Sequence, residues 1–196
     1  MSFTGANTSA TAVVTIKGDA GNDTLIGSAS KDTTTGGAGV DTIATGSGAD
    51  VINGGLGHDI INSGAGLDSV TGGGGNDQFT IVANANGNIF AAIAEANTGD
   101  IIRFNGVIGQ SFATTKLTLG STAVFADYLN LASSGNVTLA AGTTAVSHFQ
   151  FAGDTYVVAD VSAATSFVNG ADMVVKLTGI VDLSTAVIST ATLTLG

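Results

Sequence analysis

The sequence predicts an all-β chain: a parallel β-solenoid over residues 18–82, preceded by a short lead-in strand (1–17) and followed by a β-rich capping domain (83–196) with one or two short helices. Three observations carry this. Between Gly18 and Thr80 one nine-residue unit is written seven times without a gap: GDAGNDTLI, GSASKDTTT, GGAGVDTIA, TGSGADVIN, GGLGHDIIN, SGAGLDSVT and GGGGNDQFT. Within each unit the eighth residue is usually aliphatic or aromatic: Leu25, Thr34, Ile43, Ile52, Ile61, Val70 and Phe79. Beyond residue 82 the chain breaks into short apolar runs separated by Gly, Asn, Asp and Ser, which is how strands and turns are written. A fixed period of this length means stacked coils.

Each unit reads as a six-residue loop and a three-residue strand. Alternation along the strand turns one side chain inward. Two units make a coil, so odd and even units form two facing parallel sheets with an inter-coil spacing of about 4.8 Å. Leu25, Ile43, Ile61 and Phe79 are then one inward ladder, and Thr34, Ile52 and Val70 the other. A flexible glycine-rich linker would keep no such register.

The loops hold the chemistry. Aspartate closes each one, at Asp23, Asp32, Asp41, Asp50, Asp59, Asp68 and Asp77. Glycine supplies sharp turns and unobstructed carbonyls at Gly18, Gly21, Gly36, Gly37, Gly39, Gly46, Gly48, Gly54, Gly55, Gly57, Gly64, Gly66, Gly72, Gly73 and Gly75. Stacking brings carboxylates of successive coils together, and their repulsion opposes folding until a cation lies between them. Carboxylate and carbonyl oxygens without regular imidazole or thiolate select calcium. Sites are expected between the loops of units i and i+2, three on the odd side and two on the even side, ~5 in all by the stacking geometry. Unit two departs from the pattern: Ser28 and Ser30 replace glycines and Lys31 stands beside Asp32, which puts the even-side site between units two and four in question. Thr45 and Ser63 replace only the first glycine.

On these residues the tract resembles the calcium-binding C-terminal region of RTX proteins, the glycine-rich family exported by type I secretion. The resemblance implies a right-handed parallel β-roll that binds Ca2+ at the seven aspartates and loop backbone. Two later segments extend it. Gly99–Gly106, GDIIRFNG, is similar to the strand that closes the roll in many RTX proteins. Phe149–Gly196 resembles the ends of surface-layer and other type I secreted proteins, in which a Tyr-Val strand precedes a V-K-L-x-G strand. That likeness implies a C-terminal export signal and partners among like subunits in a surface array and the type I machinery, with a location outside, or on the surface of, a Gram-negative bacterium. The alternative is an RTX tail serving an upstream protease, lipase or adhesin.

Composition agrees. Five Lys and Arg against fifteen Asp and Glu leave a net charge of −10 in 196 residues, which disfavours nucleic acid and anionic membranes as partners. Cysteine is absent, so no disulfide or thiolate site exists. No run of eighteen apolar residues suggests a membrane span. No charged and apolar N-terminal leader is visible, so an export route independent of an N-terminal signal is expected.

Along the chain, Met1–Thr11 reads as extended or mobile, and Ala12–Ile16 as a strand covering the first coil. Asn84–Asn88 is a predicted turn. Ile89–Ala96 has apolar residues at helical spacing and is predicted helical, as is Ala123–Ala132. Lys116–Leu119, Ser147–Ala152, Thr155–Ala159, Ala171–Gly179 and Val181–Leu183 are predicted strands, with Gly153-Asp154 as a two-residue hairpin turn, and Leu193–Leu195 forms a final apolar end. No catalytic motif is present. His58 falls at a solvent-facing loop position, His148 precedes a strand, and Glu95 lies on the first predicted helix, so no catalytic residue and no enzymatic role is assigned. Asp100, Asp154, Asp160, Asp172 and Asp182 are scattered, candidates at most for a calcium outside the roll.

Overall fold

The computed structural model describes residues 13–84, 90–105, 110–112, 116–132, 144–162, 166–189 and 192–196. Strands account for 47% of it, arranged as a β-solenoid of about 4 turns. Strands β1 (Thr15–Ala20), β3 (Thr33–Ala38), β5 (Val51–Leu56) and β7 (Ser69–Gly74) stack in parallel in one sheet, and β2 (Thr24–Ile26), β4 (Thr42–Ala44), β6 (Ile60–Asn62) and β8 (Gln78–Ile81) in the other. Register advances eighteen residues per coil: Thr34 pairs with Ile52 and Ile52 with Val70 in one sheet, Leu25 with Ile43 and Ile43 with Ile61 in the other. Both predicted ladders are buried, and Ile16 heads the second one above Thr34. The lead-in strand thus covers the first coil, although it starts at Thr15.

The solenoid does not stop at Phe79. Strand β9 (Ala92–Ala94) stacks in parallel on β7, pairing Val70 with Ile93, and β10 (Ile101–Phe104) stacks on β8, pairing Phe79 with Ile102. This corrects the helix predicted over Ile89–Ala96. Among its described residues, 90–96, the apolar spacing fits a period of 3.6, but the open edge of β7 offers backbone partners and an inward slot for Ile93. The Ala92 N–H bonds the Asp68 carbonyl at 2.8 Å, and Glu95 turns out of the strand at φ 57°. The predicted turn at Asn84–Asn88 and the lead-in 1–11 lie outside the described residues, apart from Asn84.

The later strands extend both sheets. In the first, β9 continues into β14 (Met173–Leu177), β13 (Asp154–Asp160), β12 (Thr144–Phe151) and β11 (Gln110–Phe112); in the second, β10 continues into β16 (Thr192–Thr194) and β15 (Val187–Ser189). One apolar core therefore runs from Ile16 through Phe79 and Ile102 to Leu193 and Leu195. On the outer face of β12–β14, helix α1 (Phe125–Ala132) lays Phe125 and Tyr128 over Phe149, Phe151 and Tyr156, with Tyr128 and Phe149 stacked at 4.9 Å. The hairpin turn is Ala152-Gly153, one residue earlier than predicted, both at positive φ, with Phe151 opposite Asp154. Of Lys116–Leu119 only Leu117 forms a bridge, to Phe149. Val181–Leu183 is not a strand, yet Leu183 is buried in the core.

Candidate metal centre

Each aspartate sits at the last position of its loop, one residue before a strand, so strand register fixes it over its counterpart in the next coil. The peptide N–H of one donates to Oδ1 of the next. On the flank formed by the odd loops the contacts are Asp23 to Asp41, 2.8 Å, Asp41 to Asp59, 2.8 Å, and Asp59 to Asp77, 2.9 Å. On the even flank they run Asp32 to Asp50, 2.7 Å, and Asp50 to Asp68, 3.0 Å. All seven predicted aspartates are buried, none more than 3% exposed.

The second carboxylate oxygen is the unusual part. Oδ2 of Asp41, Asp50, Asp59, Asp68 and Asp77 is buried with no hydrogen-bond donor. An unsatisfied buried charge of this kind costs several kcal/mol in most settings. Burial accordingly raises the carboxyl pKa of Asp50, Asp59 and Asp77, and that of Asp68 to about 6, with the N–H donors only partly offsetting it. The Oδ2 of Asp59 lies against Gly54, where a Cβ would strike both it and the Gly72 carbonyl of the next coil; Gly36 stands in the same relation to Asp41 and the Gly54 carbonyl. Farther round the loop, Gly57 at φ 135° would drive a Cβ into the Gly39 carbonyl. The glycines therefore let carboxylate and carbonyl oxygens of successive coils converge. Among the described residues no three His, Cys, Asp or Glu side chains gather at one point, and the oxygens that converge are carboxylates and loop carbonyls. All-oxygen, anionic and partly backbone, this set fits a hard cation of calcium type.

Residues 15–43 and 44–79 match the family model described as the RTX calcium-binding nonapeptide repeat. This tract is built of RTX calcium-binding repeats. Among solved structures, the chain is similar to the solution structure of the AlgE6R2 subunit of the Azotobacter vinelandii mannuronan C5-epimerase, with 23% identity over 88% of this chain and 86% of that one and a TM-score of 0.27. No curated protein matches the chain.

The RTX loops are not equivalent. Asp32 is satisfied by protein: the Ser28 N–H donates to its Oδ2 at 2.6 Å, and the Ser28 hydroxyl and the Val14 N–H to its Oδ1 at 3.0 and 3.1 Å. Thr45 and Ser63 fill the first loop position on the even flank, where the Thr45 hydroxyl bonds the Ser63 carbonyl at 2.9 Å. Asp100 was missed as a member of the row. The Asp77 N–H donates to its Oδ1 at 2.8 Å, as in every RTX coil before it. Its signal was legible: Gly99-Asp100-Ile101-Ile102 follows His58-Asp59-Ile60-Ile61, displaced by a five-residue insertion.

The other flagged residues have local roles. Exposed His58 accepts the Asn76 N–H at Nδ1, 2.8 Å, and His148 is buried in β12 opposite Val157. Asp154 pairs with Lys176 at 3.2 Å, and the Gly179 N–H holds its pKa low. Asp172 accepts the N–H groups of Val161, Ser162 and Val168, and Asp182 that of Ser184. Burial, and then Asp172 beside it, raises Asp160 to about 6.

Proposed function

We propose that this chain is a calcium-dependent folding module of an exported bacterial protein, its ions held between successive RTX loops by the repeat aspartates and loop carbonyls. The observation that carries it is the row of buried Oδ2 atoms without donors, which leaves the apo roll electrostatically frustrated and a loaded roll satisfied. RTX repeats are typical of type I secreted proteins. At low cytosolic calcium the tract stays unfolded and threadable; at the ~10⁻⁴ to 10⁻³ M affinities of extracellular modules it folds on exit. Chelation of the purified chain is expected to abolish most of the far-UV β-sheet signal, and millimolar calcium to restore it; an unchanged spectrum overturns the reading.

The finer proposal is assembly into a surface layer. It is supported by the sparse charge and the Ala- and Thr-rich composition outside the repeats. Light scattering across a calcium titration tests it: large, chelator-reversible particles are expected, whereas a compact monomer shifts the reading to the tail of a secreted protease, lipase or adhesin.

A further inference from the structure

We propose that Asp100, outside the matched repeats, closes a further calcium site with Asp77 and ties the chain's last strand to the roll. The inference rests on the calcium reading above and extends it to a gap the nonapeptide pattern does not reach. The odd flank defines what a gap requires. Between Asp41 and Asp59, one coil contributes a donor-free Oδ2 (Asp41) and the next an Oδ1 already fixed by the preceding N–H (Asp59); the gap between Asp59 and Asp77 repeats this. Between Asp77 and Asp100 the two carboxylate parts recur, while Gly72 meets the Phe79 ring where Gly36 and Gly54 meet a next-coil carbonyl. Asp77 Oδ2 is buried and donor-free, its residue 1% exposed, and Asp100 Oδ1 is fixed by the Asp77 N–H. Among the described residues no further coil follows Asp100, and its Oδ2 is capped instead by the Asn97 N–H at 2.8 Å. The row is thus closed by protein at its end and open to a cation inside.

The even flank supplies the contrast. There the aspartate position is taken by Val14 before Asp32 and by Ala91 after Asp68, since Thr15 and Ala92 open the strands paired with Thr33 and Ser69. The Asp32–Asp50 gap lacks the donor-free oxygen, because Ser28 occupies Asp32 Oδ2. One expected site therefore moves from the second and fourth units to Asp77 and Asp100.

Its position gives it a distinct role. The Asp100 carbonyl accepts the Leu195 N–H at 2.9 Å, the Gly99 N–H donates to the Leu195 carbonyl at 2.8 Å, and β10 pairs with β16. An ion here orders the loop on which the last residues dock.

The test is calcium stoichiometry of the full chain at saturating calcium, by native mass spectrometry. Asp100→Asn is expected to lose one ion, Asp77→Asn two, like Asp59→Asn, and Asp32→Asn none. Full loading of D100N, or loss of a single ion in D77N, overturns the proposal; the D77N comparison decides it if D100N does not fold. If D59N also keeps every ion, the calcium reading itself fails, which separates the two. Exchange of the Leu195 amide should slow with calcium in the wild type and not in D100N.

Discussion

The two flanks of the roll are written in the same nine-residue grammar and use it differently. On the odd flank the strands run six residues, as in Thr33–Ala38 and Val51–Leu56, so the first loop glycine is still part of the ladder and pressed between an Oδ2 and a carbonyl. On the even flank they run three, as in Thr42–Ala44 and Ile60–Asn62, and the loop that follows has room for Thr45 and Ser63. The first position is therefore steric along the odd flank, whereas on the even flank only Gly27 is pressed in the same way, against Asp32 Oδ2 and the Thr45 carbonyl, and Thr45 and Ser63 bring hydroxyls instead. A consensus alone hides this, because both flanks contribute to it.

The comparison can be broken most forcefully at the first position. Gly54→Ala is expected to destabilise the calcium-loaded roll by ~2–4 kcal/mol, since the new Cβ cannot move away from backbone, and to raise the calcium midpoint of folding, whereas Thr45→Gly should shift stability by only ~1 kcal/mol; equal effects in calorimetry would show the flanks to be alike. A smaller change tests the interior. Thr34 is the polar member of the inward ladders and its buried hydroxyl has no partner, so Thr34→Val should stabilise by ~1 kcal/mol, read as a higher Tm in calcium.

The smallest effect is pH in the absence of calcium. Asp68 in the roll titrates near 6 against an ordinary 3.8 because of burial. A raised folded-state pKa means the folded form binds the extra proton, so this contribution is complete below about pH 3.8 and fades as pH rises through 6. In chelator, residual sheet signal should grow as pH falls from 7 to 5, and Asp68→Asn should flatten that slope. With calcium the trend reverses, because protons and the ion compete for the same oxygens.

The roll was legible because its inward ladder and its loop residues repeat in phase, so one unit predicts the next. Legibility failed where the phase broke. Five inserted residues after Phe79 shift the register, and Ala91, Ala92 and Ala94 carry no strand signature of their own; only the partner edge of β7 makes Ala92–Ala94 a strand, which a helical spacing count cannot see. Asp100 suffered from the same shift, although its Asp-Ile-Ile context was intact. At Asp32 the sequence itself raises the question: its spacing is perfect, but Ser28 and Ser30 replace glycines and Lys31 stands beside it, and the structure adds that the Ser28 side chain and N–H bond its carboxylate. In the later strands, alternation found β12, β13 and β14 but placed the turn one residue late, since Ala152 takes a positive φ that composition assigns to Gly153.

The row of N–H to carboxylate contacts has a statistical consequence. Under the pairing argued above, Asp41, Asp59 and Asp77 each face two gaps, so the occupied state of one gap sets the strength of its neighbours. The odd flank is then a one-dimensional nearest-neighbour lattice, and its calcium isotherm should be steeper than independent binding allows. Neutralising Asp59 at its centre would cut that lattice in two and flatten the isotherm more than neutralising Asp23 at its edge.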